Sequence, residues 1–442
     1  MKSLIEKIKT KKAKVAVVGL GYVGTPVAAL FAEAGFDVLG LDIQEEKIKK
    51  INQGINPIEG KEPGLTELME KVVKGKKFRA TSNPSELQNA DVILVSVETP
   101  VDDKTKLPSY VALRSALKNI GRNLKSGSMV IIESTIAPKT METVVLPIIE
   151  QISDLKLNKD FFLVHCPERL MPGKLIEIIC NFDRVVGAFG DDAGKTAVAF
   201  YSNVVKGDLE VTDPLTAEIV KTAENTYRFV QIAFANEIAL LCEKLGADVW
   251  KVRELINKRP DRNMHKPGAG VGGHCLPKDY SLLTAAVRDV SETKMISAAR
   301  EINDGMPVHV AQLLMDALGE AEVPANNGRK IAVLGYAYLE NSDDTRNSPS
   351  EVLVEVLKSW GFEVAVHDPY VGEYKGDIFK VSKGADAVVI MVAHDEYLKL
   401  DWPRLVKQLR HKVIVDGRNV LGKDKISSLG AVYRAVGVGV YD

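Results

Sequence analysis

The stretch from Lys14 to Gly24, KVAVVGLGYVG, decides the architecture. Its first half is apolar and rich in valine, the pattern of a strand buried on both faces. Gly19, Gly21 and Gly24 follow at the spacing GxGxxG, where the chain turns from strand into a helix-like pattern. At such a junction the first glycine permits a tight turn and the second lets backbone N–H groups approach a pyrophosphate. The third lets the helix pack close to the strand, with its positive end at the phosphates. The glycines alone would be a plain turn, so the context decides. A second strand, Gly35 to Asp42 (GFDVLGLD), ends in an acid 18 residues after Gly24. That acid is placed to hydrogen-bond a ribose 2′-hydroxyl and would repel a 2′-phosphate, so NAD is expected rather than NADP. Gly19, Gly21, Tyr22, Val23, Gly24 and Asp42 are the expected cofactor contacts.

Working outward, two more apolar runs follow, Asp91 to Val97 and Met129 to Thr135. Near the C-terminus the same series is written again: Lys330 to Gly335 (KIAVLG), Gly361 to Asp368 (GFEVAVHD), Ala385 to Val392 and Lys412 to Gly417. Repeated β-branched runs alternating with helical stretches predict parallel strands in βαβ units. The second copy keeps the closing acid, Asp368, but has Tyr336-Ala337-Tyr338 where the glycines would stand. Bulk there argues against a second dinucleotide, leaving another ligand or a purely structural domain.

Between the copies the chain reads mainly helical. Over Thr216 to Leu245, Ile219, Ala223, Tyr227, Val230, Phe234, Ile238, Leu241 and Leu245 fall on one face at about 100° per residue. Gly246 stands where a left-handed cap would end that helix. The expected fold class is therefore α/β, with two Rossmann-like doubly wound domains (1–207 and 321–442) joined by a central helical domain (208–320). A length of 442 residues fits several domains. A net charge of −1 gives no electrostatic case for nucleic acid or an anionic membrane. No apolar run is long enough to span a bilayer and no leader pattern opens the chain, so a cytoplasmic protein is expected.

Four cysteines, Cys166, Cys180, Cys242 and Cys275, lie far apart with no zinc spacing, so no metal is expected. Cys275 closes the densest anomaly of the chain, Lys266 to Asp279 (KPGAGVGGHCLPKD). A glycine-rich loop presenting one thiol, with Lys278 close behind, suits an activated thiolate; an incidental cysteine in a Gly/Pro turn is the bland alternative. On the long helix Lys221, Asn225 and Asn236 lie within about 60° of one another, opposite the apolar face. They form either a solvated stripe or a ligand-facing one, and asparagine is a poor choice for the former. Glu133-Ser134-Thr135 ends the fourth strand at the carboxyl edge, where open α/β sheets bind ligands. Glu168, in Cys166-Pro167-Glu168-Arg169, is either a general base or a surface acid.

These segments, taken in order, resemble the UDP-sugar 6-dehydrogenases over essentially the whole chain. The likeness rests on GLGYVG at Gly19, Thr99-Pro100, Glu133 to Thr135, Pro167 to Gly173, Lys221 to Asn225 with Asn236-Glu237 downstream, GxGxGGHC ending at Cys275, and DDxRxSPS at Asp343 to Ser350. The resemblance implies a four-electron oxidation of a sugar C6 alcohol to a carboxylate, with two NAD per substrate. Cys275 would hold the aldehyde as a thiohemiacetal and then as a thioester. Lys221 and Asn225 would stabilise the oxyanion, Thr135 and Glu168 would handle water and protons, and Asp279 would orient the group. Thr99, Pro100 and Thr135 would line the cofactor. Arg169, Lys221, Asn225, Gly268, Gly270, Gly272, Gly273 and Arg346 would meet the UDP-sugar, and the second Rossmann unit would hold UDP. A homodimer or higher oligomer through the central helices is also implied.

Within the family, Pro167-Glu168-Arg169-Leu170-Met171-Pro172-Gly173 resembles the enzymes of 2-acetamido sugars, and Asn257 to Cys275 is most similar to UDP-N-acetylmannosamine dehydrogenases. Two departures stand out. Leu339 replaces a common lysine, and Leu276-Pro277-Lys278-Asp279 looks like the UDP-glucose pattern. The same reaction on UDP-N-acetylglucosamine or UDP-glucose is the alternative. A single-hydride hydroxyacid dehydrogenase and a non-catalytic nucleotide-sugar-binding protein are the readings from other classes.

Overall fold

The computed structural model describes residues 2–58, 62–102, 104–171, 173–287, 293–324, 328–422, 426 and 428–439, the side chain of residue 2 excepted. Pro172 of the PERLMPG segment lies outside them. The chain divides into two compact units, Met1–Glu224 with Ser281–Arg288, and Asn225–Tyr280 with Asp289–Asp442. The division falls inside one continuous helix, Pro214–Leu245.

The first unit is built on β1 (Lys14–Val18), β2 (Asp37–Leu41), β3 (Phe78–Thr81), β4 (Val92–Val95), β5 (Ser128–Ile132), β6 (Phe161–His165), β7 (Arg184–Ala188) and β8 (Leu209–Thr212). Their order is β3-β2-β1-β4-β5-β6-β7-β8. The first six give the Rossmann order with parallel neighbours; only the β6–β7 pair is antiparallel. β4, β5 and β6 are buried along their whole length, as unbroken apolar runs require. The helix Gly24–Glu33 lies almost wholly inside, and its Phe31 ring stacks on Phe200 at 4.1 Å between centroids. The opening residues form a helix, Lys2–Lys9, that buries Leu4 and Ile8.

The second unit carries β9 (Lys330–Leu334), β10 (Glu363–His367), β11 (Ala387–Ile390), β12 (Val413–Asp416) and β13 (Val432–Ala435), all parallel, in the order β10-β9-β11-β12-β13. The helix Lys294–Glu320 packs on β12 and β13.

The internal repeat holds at the level of single bonds. Lys14 pairs with Asp37 in β1–β2, and Lys330 with Glu363 in β9–β10. Gly19 N–H donates to Leu41 O at 2.8 Å, and Gly335 N–H to His367 O at 2.8 Å, both glycines at φ +92°. Asp91 Oδ2 accepts from Lys14 N–H at 2.9 Å, and Asp386 Oδ2 from Lys330 N–H at 2.8 Å.

The long helix ends at Gly246 with φ +73°, the left-handed cap its sequence predicts. Its two faces are the reverse of a core helix. Ile219 (41% exposed), Tyr227 (66%), Phe234 (52%), Leu241 (49%) and Leu245 (79%) face solvent, while Lys221 and Asn236 on the polar stripe are 6% and 1% exposed. The solvated reading of that stripe is thereby excluded for those two residues.

Candidate active site

The turn after β1 is shaped for a phosphate. A Cβ on Gly24 would stand 1.9 Å from Gly19 O, so helix and strand meet only because position 24 is bare. A Cβ on Gly21 would meet nothing within 4 Å, so the backbone there is open to a ligand. Asp42 lies at the end of β2, where Oδ2 accepts Leu20 N–H at 2.8 Å and Oδ1 accepts Gln44 N–H at 2.9 Å, with Lys47 Nζ 3.3 Å from Oδ2. Tyr22, beside Val23, donates its hydroxyl to Glu62, whose Oε1 also accepts Gly173 N–H at 2.7 Å and whose Oε2 accepts Leu175 N–H at 3.3 Å. One carboxylate therefore links the glycine turn to the PERLMPG segment, a residue that sequence reading missed.

The carboxyl ends of β4 and β5 are stitched together by hydroxyls. Thr99 Oγ1 donates to Thr135 O at 2.6 Å, Ser134 Oγ to Val97 O at 2.6 Å, and Ser96 Oγ to Glu133 Oε2 at 2.8 Å. Pro100 O accepts Ser109 N–H at 2.7 Å. Thr99, Pro100 and Thr135 thus share the sheet edge that carries the glycine turn, the place where this fold takes a dinucleotide.

Glu168, just past β6, is 8% exposed and ion-paired with Arg184 at the head of β7, so it is not a surface acid. Arg169 instead reaches out, with Nε 3.0 Å from Glu224. Lys221 Nζ lies 3.9 Å from Glu224, and Lys221 also faces His165, which burial pushes down to about 4 and keeps neutral. Burial pushes the Cys166 thiol up to about 12, and raises Cys180 and Cys242 as well, which disfavours the thiolate at all three.

In the second unit Cys275 is exposed and directly precedes the helix Leu276–Thr284. Its carbonyl accepts the N–H groups of Lys278 at 3.1 Å and Asp279 at 2.8 Å, which makes it the cap residue. A thiol at that position meets the positive end of the helix, which favours the thiolate. Asp279 Oδ2 accepts from Asn225 Nδ2 at 2.6 Å, bringing two of the expected residues together. His274 keeps an exposed rim, but partial desolvation and then the Lys278 and Arg346 charges push it down to about 4.

The glycines before Cys275 lie in close packing. A Cβ at Gly268 would lie 2.6 Å from Arg418 Nη1, at Gly270 3.1 Å from Pro349, and at Gly272 and Gly273 2.5 and 2.7 Å from Tyr338. Gly268 N–H is held by Asn236 Oδ1 at 2.9 Å, and Gly273 by Arg346 O at 2.9 Å and Asn347 Nδ2 at 3.0 Å. The Arg346 guanidinium is engaged by Asp344, 2.9 Å from Nε to Oδ1, and Leu339 is 39% exposed. A cavity of about 400 Å³ in the first unit is lined by Lys139, Glu142, Asn158, Glu218 and neighbours, none of which belongs to the expected site. Among the described residues no group of three or more His, Cys, Asp or Glu side chains is placed to hold a metal ion.

Three family models cover the chain in series. Residues 13–205 match the NAD binding domain of the UDP-glucose/GDP-mannose dehydrogenase family, 215–305 its central domain and 332–423 its UDP binding domain. The chain belongs to the UDP-glucose/GDP-mannose dehydrogenase family. It is a UDP-sugar dehydrogenase with an NAD binding domain. A UDP-N-acetyl-D-mannosamine dehydrogenase of Pyrococcus horikoshii is 40% identical over 427 residues, covering 96% of this chain and 99% of that protein. A solved structure of that enzyme type from the same organism superposes with a TM-score of 0.90 at 39% identity, over 96% of this chain and 99% of the other. An NDP-N-acetyl-D-galactosaminuronic acid dehydrogenase from Methanosarcina mazei gives a TM-score of 0.87 at 38% identity, over 98% and 97%. Among the described residues no helix is long and apolar enough to cross a membrane.

Proposed function

We propose that this enzyme oxidises the C6 alcohol of UDP-N-acetyl-D-mannosamine to the carboxylate, with Cys275 holding the sugar covalently between two oxidations. The observation that carries the reading is Cys275 itself, exposed at the positive end of a helix whose Asp279 is bonded to Asn225. The open backbone at Gly21, the bare contact at Gly24 and Asp42 fit NAD, together with Thr99, Pro100 and Thr135. Bound there, NAD supplies the acceptor for two electrons at each oxidation.

The chain's own residues do the rest. The Cys275 thiolate adds to the C6 aldehyde, forming a C–S bond and a thiohemiacetal, and the second oxidation leaves a thioester. Water adds to the thioester carbonyl, the C–S bond breaks, and Cys275 departs as thiolate. The tether keeps the aldehyde from escaping between the two oxidations. Lys221 and Asn225 donate to the oxyanion that forms at C6, with Asp279 orienting Asn225. Thr135 positions the water and Glu168 takes its proton. Arg169, Arg346 and the loop bearing Gly268, Gly270, Gly272 and Gly273 bind the UDP-sugar, in a chain divided functionally at 1–207, 208–320 and 321–442.

The sugar assignment is supported by the names of relatives at up to 40% identity and by Pro167 to Gly173. The test is NADH formed per mole of substrate across the UDP derivatives of N-acetylmannosamine, N-acetylglucosamine, N-acetylgalactosamine and glucose. Two NADH from the mannosamine compound alone support the reading; turnover of another sugar corrects the substrate. One NADH per sugar, or a Cys275→Ala protein with parental activity, removes the thioester. No turnover of any favours a binding protein.

The exposed apolar face of the helix Pro214–Leu245 supports a second copy as its occupant. Tyr227, Phe234, Leu241 and Leu245 form a continuous stripe of the kind that marks an interface.

A further inference from the structure

Two carboxylates and one guanidinium are sealed together at the carboxyl ends of β5 and β6. Glu133 is 2% exposed, Glu168 8%, Arg184 5% and Tyr201 1%. Arg184 pairs with Glu168 through Nη1, donates from Nη2 to Ile179 O at 3.1 Å, and lies 4.9 Å above the Tyr201 ring. Glu133 receives the Tyr201 hydroxyl on Oε1 at 2.8 Å and the Ser96 hydroxyl on Oε2 at 2.8 Å. The groups facing it are therefore Ser96 after β4, Cys166 and Glu168 after β6, Arg184 on β7, and Tyr201 at the end of the helix Asp191–Tyr201.

One cation cannot pay for two buried anions. Arg184 is committed to Glu168, and both donors to Glu133 are neutral hydroxyls. Burial first, then the Glu168 charge, raises Glu133 to about 7, so its proton is lost near neutrality and not in the ordinary carboxylate range. Rotation of the Ser96 hydroxyl gives that proton an acceptor.

We propose that Glu133 is a positioning residue for Glu168, its proton deciding whether Arg184 serves one carboxylate or is shared by two. This rests on the role given to Glu168 above. With Glu133 neutral, the guanidinium holds Glu168 alone. With Glu133 ionised, a second negative charge competes for the guanidinium, and Glu168 is held less tightly. It then takes the proton of the water whose oxygen adds to the thioester carbonyl, as the C–S bond breaks and Cys275 leaves as thiolate.

The test measures kcat and single-turnover release of the acid product from pH about 5.5 to 9, for the parent, Glu133→Gln, Tyr201→Phe and Glu168→Gln. The parent is expected to gain rate through an inflection near neutrality. Glu133→Gln is expected to lose that inflection and to fall furthest behind the parent at the alkaline end. Tyr201→Phe removes a donor that favours the ionised acid, so its inflection moves to higher pH. An unchanged inflection in Glu133→Gln, or a melting temperature that changes while the rate profile does not, overturns the proposal. Parental rates in Glu168→Gln overturn the role of Glu168 itself, a different failure from an impaired Glu168→Gln beside an unaltered Glu133→Gln.

Discussion

Replacing Asn236 by alanine is a strict test of how the loop before Cys275 is held. Asn236 is 1% exposed; its Oδ1 accepts Gly268 N–H at 2.9 Å and its Nδ2 donates to Asn303 Oδ1 at 2.9 Å. Asn303 in turn donates to Phe229 O at 3.1 Å. Truncation strands two buried groups, Gly268 N–H and Asn303 Oδ1. A buried polar group left unmatched costs about 1–3 kcal/mol, so the expected loss for the two is about 2–6 kcal/mol. Urea unfolding of the full chain should show the midpoint of the transition that includes the second unit fall with little change in slope. Because the loop loses one anchor but keeps those at Gly273, the KM for the UDP-sugar should rise while the KM for NAD stays put. Asn303→Ala removes the same shared bond, so the double variant should cost less than the two singles added. A loss below about 0.5 kcal/mol, or fully additive singles, would refute the clamp, since stranded groups cannot be that cheap in a dry interior.

Three further outcomes follow from the geometry. Gly24→Ala places a methyl carbon 1.9 Å from Gly19 O and should abolish NAD binding by calorimetry while leaving UDP binding intact. Phe234→Glu with Leu241→Glu charges the exposed stripe (52% and 49% exposed) and should convert the proposed dimer to monomers in light scattering; an unchanged mass would count against this stripe as an interface. Asp368 is held far below the usual carboxylate range: burial opposes the shift, but hydrogen bonds from His394 and from the Ala337, Tyr336 and Tyr370 N–H groups outweigh it. A depressed acid stabilises above its unfolded value of 3.8 and loses that contribution as the pH falls below it. Asp368→Asn should therefore lower the melting temperature evenly between pH about 5 and 8, with the gap to the parent narrowing below pH about 4.

The framework of the fold was legible because parallel strands buried on both faces must be continuous apolar runs, and all eight such runs named from the sequence are strands. β6 is a ninth run of the same kind, but β3, β7, β8 and β13 were not legible, since each is short and carries charge, as in Phe78-Arg79-Ala80, Arg184-Val185-Val186 and Leu209-Glu210-Val211. The helix over 216–245 was legible in extent and in its cap, but periodicity reports only that one face is apolar. Here that face meets solvent and the polar stripe is buried. At the site, motif residues could be named one by one, but their partners could not. Arg184, Tyr201, Glu62 and Asn303 come from segments remote in sequence, and only tertiary packing brings them to Glu168, Glu133, Tyr22 and Asn236. One signal was available: an arginine opening the apolar run Arg184 to Ala188 must find an acid inside the sheet.

The two copies of the strand-turn unit treat their closing acid differently, and this bears on redesign. In the first copy Asp42 takes a single amide of the turn, that of Leu20. In the second, Asp368 takes two, from Tyr336 at 2.6 Å and Ala337 at 2.9 Å, with His394 on the same oxygen at 3.1 Å. The later turn thus carries a resident anion of its own making. Grafting glycines into positions 337 and 340, the counterparts of Gly21 and Gly24, would leave that carboxylate on the amides a pyrophosphate needs, so conversion of this half into a dinucleotide binder has to begin by freeing them from Asp368.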